Sequence, residues 1–482
     1  MNSSWLIIIV ALLRCAPIVG GTASPSDDRA DERDVVAPPR VPDDDDDDDN
    51  HDGGGYARLV AWITSHGGRV DPRMTTVATT PAGAGVRGVV ATSAIDGGTE
   101  LLFCPWSLIM GGPPRGGRTD DAGRRAGGGG GGGVLDESAM CDVVRAMARE
   151  MRLGERSAWH PYLDHVEVPR LVATWGAEAL GELQGLPPRT DAGRHLTWFD
   201  EACRRGGGGR SVGADDDDDG DHHHHLDGDD ATERSLVAFV SRASEVGMIP
   251  LYDLLNHHNG KRNAKLSVTE EGVTLVTVVG GTRDRDDGED ADSDGKRHHH
   301  NDVIEEGDEI YLSYGLKTAS TMYRDYGFVE EWPTCWNFMD PTSGDNFAFV
   351  SFPHGISAIN PSGEYLRSMW SANASSPAEY EARARAHTES LSLLDLERFV
   401  KAAHDRSGEF PSTVDEDELI LDGIRESMLV SGGDGGDTSS AEDVVKAIVY
   451  RVAFKSALEG SALYAESIIA NKIREIVGKE EL

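Results

Sequence analysis

The spacing of apolar and polar residues changes several times along the chain, and each change predicts an element. Leu59, Val60, Trp62 and Ile63 recur at helical spacing after Tyr56, where folding is expected to begin. β-Branched runs at 75–80 and 88–92 flank the bend Ala82-Gly83-Ala84-Gly85-Val86-Arg87, as in a hairpin. A turn at 95–100 leads into an apolar strand at 101–105. Val143, Val144, Met147, Met151 and Leu153 predict an amphipathic helix; Trp175, Leu180, Leu183 and Leu186 predict another, and residues 235–240 resume the helical pattern. Residues 265–268 and 273–278 read as a second hairpin around Glu270-Glu271-Gly272. After the turn at 305–309, residues 310–314 alternate as a strand ending in tyrosine and Gly315. Beyond about residue 345 the spacing becomes helical, through Leu391, Leu394, Phe399, Ile420, Ile424 and 444–458.

Composition limits how much of the chain these elements occupy. With 482 residues there is room for two or three domains, but 38% apolar content is low for a wholly folded chain. The net charge of −38 is concentrated in self-repelling runs such as Asp43 to Asp49 and Asp215 to Asp219. Residues 24–55 therefore read as a disordered acidic linker, and the tracts at 111–133, 206–230 and 283–302 as flexible insertions. Such acidity argues against nucleic-acid binding, which needs basic patches. Cys15, Cys104, Cys141, Cys203 and Cys335 contain no CxxC pair, so neither a zinc cluster nor a disulfide framework is expected. His222–His225 and His298–His300 sit in Asp/Gly tracts, and no metal site is expected from them.

The two ends carry address signals. Residues 5–13 (WLIIIVALL) are too short to span a bilayer and precede small residues at 20–23, so 1–23 reads as a signal peptide and no membrane span is expected once it is removed. The chain closes with Lys479-Glu480-Glu481-Leu482, similar to the KDEL-type retrieval signal. Together they imply the endoplasmic reticulum lumen, although a plastid-directed leader begins in the same way.

Chemistry is concentrated in two stretches. In Ile249-Pro250-Leu251-Tyr252-Asp253-Leu254-Leu255-Asn256-His257-His258, the polar residues interrupt an apolar run and need partners or a ligand. Asn256 and His257 lie three and four positions past Asp253, so a helical turn would aim all three at one pocket; a buried polar cluster closing a turn is the alternative. The second stretch is Glu305-Glu306-Gly307-Asp308-Glu309-Ile310-Tyr311-Leu312-Ser313-Tyr314-Gly315.

These two stretches resemble the paired motifs of SET-domain methyltransferases, closest to the branch typified by the Rubisco large-subunit lysine methyltransferase. The resemblance extends to GVRGVVATSAIDGGTELLFCP at 85–105, to Gly154-Glu155-Arg156-Ser157-Ala158-Trp159-His160-Pro161-Tyr162-Leu163, to Ser241-Arg242 and to Tyr326-Gly327-Phe328. It spans roughly residues 56 to 480, broken by the insertions. One departure is Ala319-Ser320-Thr321, where the branch usually carries Asn-x-Glu.

The resemblance implies an α+β fold: a mostly-β SET domain over 56–335 with a helical insertion at about 134–245, followed by an all-α substrate-binding domain at 345–482. It implies S-adenosylmethionine as cofactor and a lysine-bearing protein as partner; the oligomeric state stays open. Tyr314 matches the catalytic tyrosine that orients the acceptor nitrogen, and with Asp253 it would face the substrate. Gly85, Val86, Arg87, Arg242, Asn256, His257 and Phe328 match cofactor-side positions, Asn256 and His257 acting largely through backbone and amide hydrogen bonds. A histidine acceptor, or a SET-fold binding module without catalysis, are the alternatives.

Overall fold

The structure is a computed structural model, described here for residues 53–77, 87–112, 135–190, 192–204, 230–259, 261–278, 303–315, 317–330, 333–352, 355–360, 377–431 and 439–480. The expected leader, most of the acidic linker, the Gly- and Asp-rich insertions, and Gly85 and Val86 lie outside these residues.

The first helix, α1 (Gly53–Ser65), begins three residues before the expected Tyr56 and buries Leu59, Trp62 and Ile63. Five short strands follow: β1 (Arg69–Val70), β2 (Met74–Val77), β3 (Gly88–Ala91), β4 (Ile95–Asp96) and β5 (Glu100–Pro105). The insertion contributes α2 (Glu137–Leu153), α3 (His160–Leu163), α4 (Ala177–Glu182) and α5 (Asp230–Arg242). The Asp136 side chain caps α2 by accepting the Ala139 N–H at 2.8 Å, and Val143, Val144 and Met147 face the core as their spacing predicts.

Next come β6 (Asn256–His257), β7 (Ala264–Val268), β8 (Gly272–Thr277), β9 (Val303–Ile304) and β10 (Tyr311–Leu312). Strands β1, β5, β8 and β7 form an antiparallel sheet in that order, which includes the expected β7–β8 hairpin; β2 pairs with β3 and β4 with β9. Strand β10 runs parallel to β6, with Tyr311 beside Asn256 and Leu312 beside His257. This pairing brings together two motifs more than 50 residues apart.

The chain then forms α6 (Ala319–Tyr326) and an antiparallel sheet of β11 (Thr334–Met339), β12 (Asn346–Ser351) and β13 (Ser357–Asn360). Four helices complete the described chain: α7 (Pro377–Ser390), α8 (Leu393–Gly408), α9 (Val414–Ser431) and α10 (Ser439–Glu480). The α+β expectation holds, but helix begins later than residue 345. The run Phe347-Ala348-Phe349-Val350 is a buried central strand, and short apolar runs of this kind carry no period that separates strand from helix.

A second correction concerns the cysteines. Cys141 on α2 and Cys203 form a disulfide with Cα atoms 5.3 Å apart, although their separation of 62 residues carries no sequence signature. Cys104 and Cys335 are free and buried.

Candidate active site

The first motif folds as a tight turn joined to a strand, not as the helical turn that its spacing allowed. Residues 252–254 make one 3-10 turn, entered through Leu251 at φ 70°, and Asn256–His257 is already strand β6. A buried leucine in the left-handed region costs about 1–3 kcal/mol, and such strain collects at functional sites.

Asp253 is 5% exposed. Its Oδ2 accepts the Tyr162 hydroxyl at 2.8 Å, while Oδ1 has no partner among the described residues. Burial pushes the carboxyl up to about 6, against the opposing pull of Arg242, the Tyr162 hydrogen bond and Arg87. Arg242, at the end of α5, donates from Nη1 to the Asp253 carbonyl at 2.8 Å and from Nε to the Glu167 carbonyl at 2.7 Å. Arg87 donates to the His165 carbonyl and lies 3.5 Å from the Glu167 carboxylate, so the two arginines share one acidic neighbour.

Asn256 and His257 are held by residues of the second motif and of the segment after α6. The Asn256 Nδ2 donates to the Arg87 carbonyl at 3.0 Å and to Glu309 Oε1 at 2.6 Å, while Tyr311 donates its hydroxyl to Glu309 Oε2 at 2.7 Å. His257 Nδ1 accepts the Tyr314 backbone N–H at 2.9 Å, which fixes the tautomer: Nε2 carries the proton and donates to Glu330 Oε2 at 3.2 Å. Glu330 also accepts the Asn259 backbone N–H at 2.6 Å and its side-chain amide at 3.0 Å. Both ring nitrogens of His257 are thus engaged within the protein, and only its backbone remains for the expected cofactor contact.

Tyr314 is half-buried at the centre of an aromatic group. Its ring centroid lies 5.0 Å from His257 and 4.9 Å from Tyr326, and Phe328 lies 6.3 Å from both His257 and Tyr326. Gly327, at φ 80°, ends α6 in the left-handed conformation and turns the chain so that Tyr326 and Phe328 can both join this group. The Tyr314 hydroxyl donates to the Leu255 carbonyl at 2.6 Å, and burial pushes it well above the ordinary tyrosine value. The Lys317 ammonium stands 5.7 Å from the Tyr326 ring centroid. At the departure from the branch pattern, Ala319 is buried and Thr321 donates its backbone N–H to the Thr318 cap at 3.3 Å.

The structure therefore gathers Arg87, Arg242, Asp253, Asn256, His257, Tyr314 and Phe328 around the paired strands β6 and β10. Sequence reasoning gave no role to Glu309, Glu330, Tyr162 or Tyr326. The first two had a signal, since each is a carboxylate beside an apolar or aromatic run that must bury it. Among the described residues, no group of three His, Cys, Asp or Glu is arranged to hold a metal ion.

No protein-family model matches the chain, and no curated protein matches it. Among solved structures, the chain is similar to the SET domain of LSMT bound to lysine and AdoHcy, with 14% identity, a TM-score of 0.43, and coverage of 89% of this chain and 93% of that one. It is likewise similar to Rubisco LSMT bound to sinefungin and monomethyllysine, and to Rubisco LSMT bound to AdoMet, each at 14% identity, a TM-score of 0.44 and the same coverage.

Proposed function

We propose that this chain is an S-adenosylmethionine-dependent methyltransferase that acts on a side-chain amine of a protein, lysine in the first instance. One observation carries the reading: Tyr314, with its hydroxyl pinned by the Leu255 carbonyl, packs against Tyr326, whose face is already approached by an ammonium group, that of Lys317. An aromatic wall of this kind attracts a cationic amine and holds it beside the tyrosine.

The chain's own groups then do the following. The Tyr314 hydroxyl donates its one O–H to the Leu255 carbonyl, so it offers the amine an acceptor lone pair. Because burial keeps that hydroxyl protonated at neutral pH, it orients the amine and does not remove its proton. The ammonium releases its proton to solvent before transfer; an N–H of the neutral amine bonded to Tyr314 then leaves the nitrogen lone pair free for the methyl donor, and transfer becomes a matter of positioning. The cofactor, when bound, supplies a methyl group activated on a sulfonium. The residues present fit such a group: the aromatic face of Phe328 suits an adenine-bearing molecule, and the Asp253 oxygen that has no partner among the described residues suits a cationic one. Arg87, Arg242, the Asn256 and His257 backbone and Phe328 would hold it.

The Cys141–Cys203 disulfide supports an oxidising compartment as the place of action, in line with the endoplasmic reticulum expectation. Calorimetric titration of the full chain with S-adenosylmethionine tests the reading. Wild type and Tyr314→Phe should bind with affinities within about threefold of each other, since the hydroxyl acts on the acceptor. Absence of binding by folded wild type would sink the proposal.

A further inference from the structure

Asp253 is only half satisfied by its hydrogen bonds. One of its oxygens is satisfied by Tyr162; the other is buried with no donor among the described residues. A buried carboxylate oxygen without a donor carries a desolvation penalty that a cation or an N–H donor in the site would relieve. The groups that face it come from every side. They are Tyr162 on α3, Arg242 at the end of α5, Arg87 before β3, Cys104 on β5 and Tyr314 after β10. Arg242 is the nearest source of positive charge in chain terms, but it meets Asp253 through the backbone carbonyl, and its guanidinium also serves Glu167. The charge of Asp253 reaches the Tyr314 hydroxyl, where it adds to the upward push of burial. The carboxylate is therefore within electrostatic reach of the Tyr314 hydroxyl.

We infer that Asp253 is the counter-charge by which this site prefers a sulfonium cofactor over its neutral sulfide product, and that protonating the carboxylate abolishes the preference. This rests on the methyltransferase reading above. Relief of product inhibition follows: once the methyl has left, the remaining sulfide no longer has a charge for Asp253 to hold. The sign follows from linkage. A bound cation favours the ionised carboxylate, so affinity for the cation rises with pH through the titration of Asp253 and levels off above it. Burial sets that titration near pH 6, because it pushes the carboxyl up to about 6.

The test is the ratio of dissociation constants of S-adenosylhomocysteine and S-adenosylmethionine, measured by calorimetry on the full chain between about pH 5 and 7. Over this range both ligands keep a protonated amine and an ionised carboxylate, so those groups drop out of the ratio. For wild type the ratio should rise in favour of the sulfonium by about tenfold or more across this range, as expected for a charge that shifts a carboxyl by one unit or more. Asp253→Asn, which keeps an acceptor for Tyr162, should give a flat ratio. Tyr162→Phe removes a hydrogen bond that favours ionisation, so it should move the rise to higher pH; this arm stands even if the asparagine variant does not fold. A wild-type ratio that ignores pH, or the same rise in Asp253→Asn, overturns the inference and leaves the free oxygen to a water molecule. If neither ligand binds at any pH, the methyltransferase reading falls with it; if both bind with a constant ratio, the inference falls alone.

Discussion

Asn256 acts through a single amide nitrogen that bridges Arg87 and Glu309, and Glu309 is 5% exposed. Asn256→Ala removes a donor from a buried carboxylate and should cost about 2–3 kcal/mol in chemical denaturation, with little change in the slope against denaturant. A loss under about 1 kcal/mol would mean that Glu309 finds another donor on its own. The sequence pointed at Asp253, Asn256 and His257 because polar residues inside an apolar run must be satisfied. It could not point at what satisfies them: Glu309 lies 53 residues from Asn256, and Glu330 lies 73 from His257. Nor was the local shape readable, since a spacing of three and four fits a helical turn as well as the 3-10 turn and strand that form. Tyr314 was legible only through the motif resemblance, as a lone tyrosine at a strand end is usually packing.

At the scale of elements, the long helix α10 is fixed to its neighbours by ions as well as by apolar packing. Arg451 forks onto Asp417 of α9 at 2.8 and 2.7 Å and reaches Glu182 of α4 at 2.6 Å, while Lys455 adds a bond to Asp417 at 2.7 Å. Burial disfavours the Asp417 charge, but these hydrogen bonds more than offset it and hold its pKa below the ordinary value. Removing one partner from such a network leaves a buried charge uncompensated, so Arg451→Ala should lower stability by about 3–5 kcal/mol, read by denaturant titration. A loss under 1 kcal/mol would show that Lys455 alone suffices. The helices of this region were legible from their apolar spacing; the network was not, because ion pairs across 34 and 38 residues leave no period. Strands β12 and β13 escaped for a different reason, being too short and too uniformly apolar to announce a period of two.

The molecule as a whole is held by two large apolar cores. One gathers α1, the β1–β5–β8–β7 sheet, α2 and the first motif; the other joins Val172, Trp175 and Leu183 of the insertion to Tyr323, Trp336, Phe399, Tyr450 and Phe454. The candidate site lies where they meet, since Tyr323 belongs to the second core while Tyr326 and Phe328, within and just after the same helix, line the site. The disulfide closes a span of 62 residues within the insertion, which by loop entropy alone is worth about 4 kcal/mol. Whether the residues around the parallel β6–β10 pair transfer a methyl group is read from the product itself. The full chain is incubated with methyl-labelled S-adenosylmethionine and a library of lysine peptides, with histidine peptides alongside, and the labelled amino acid is identified after hydrolysis. Methyl-lysine should form with wild type and fall about 100-fold or more in Tyr314→Phe while cofactor affinity stays unchanged. Equal labelling by wild type and Tyr314→Phe, or no transfer by a chain that binds the cofactor, would contradict this expectation.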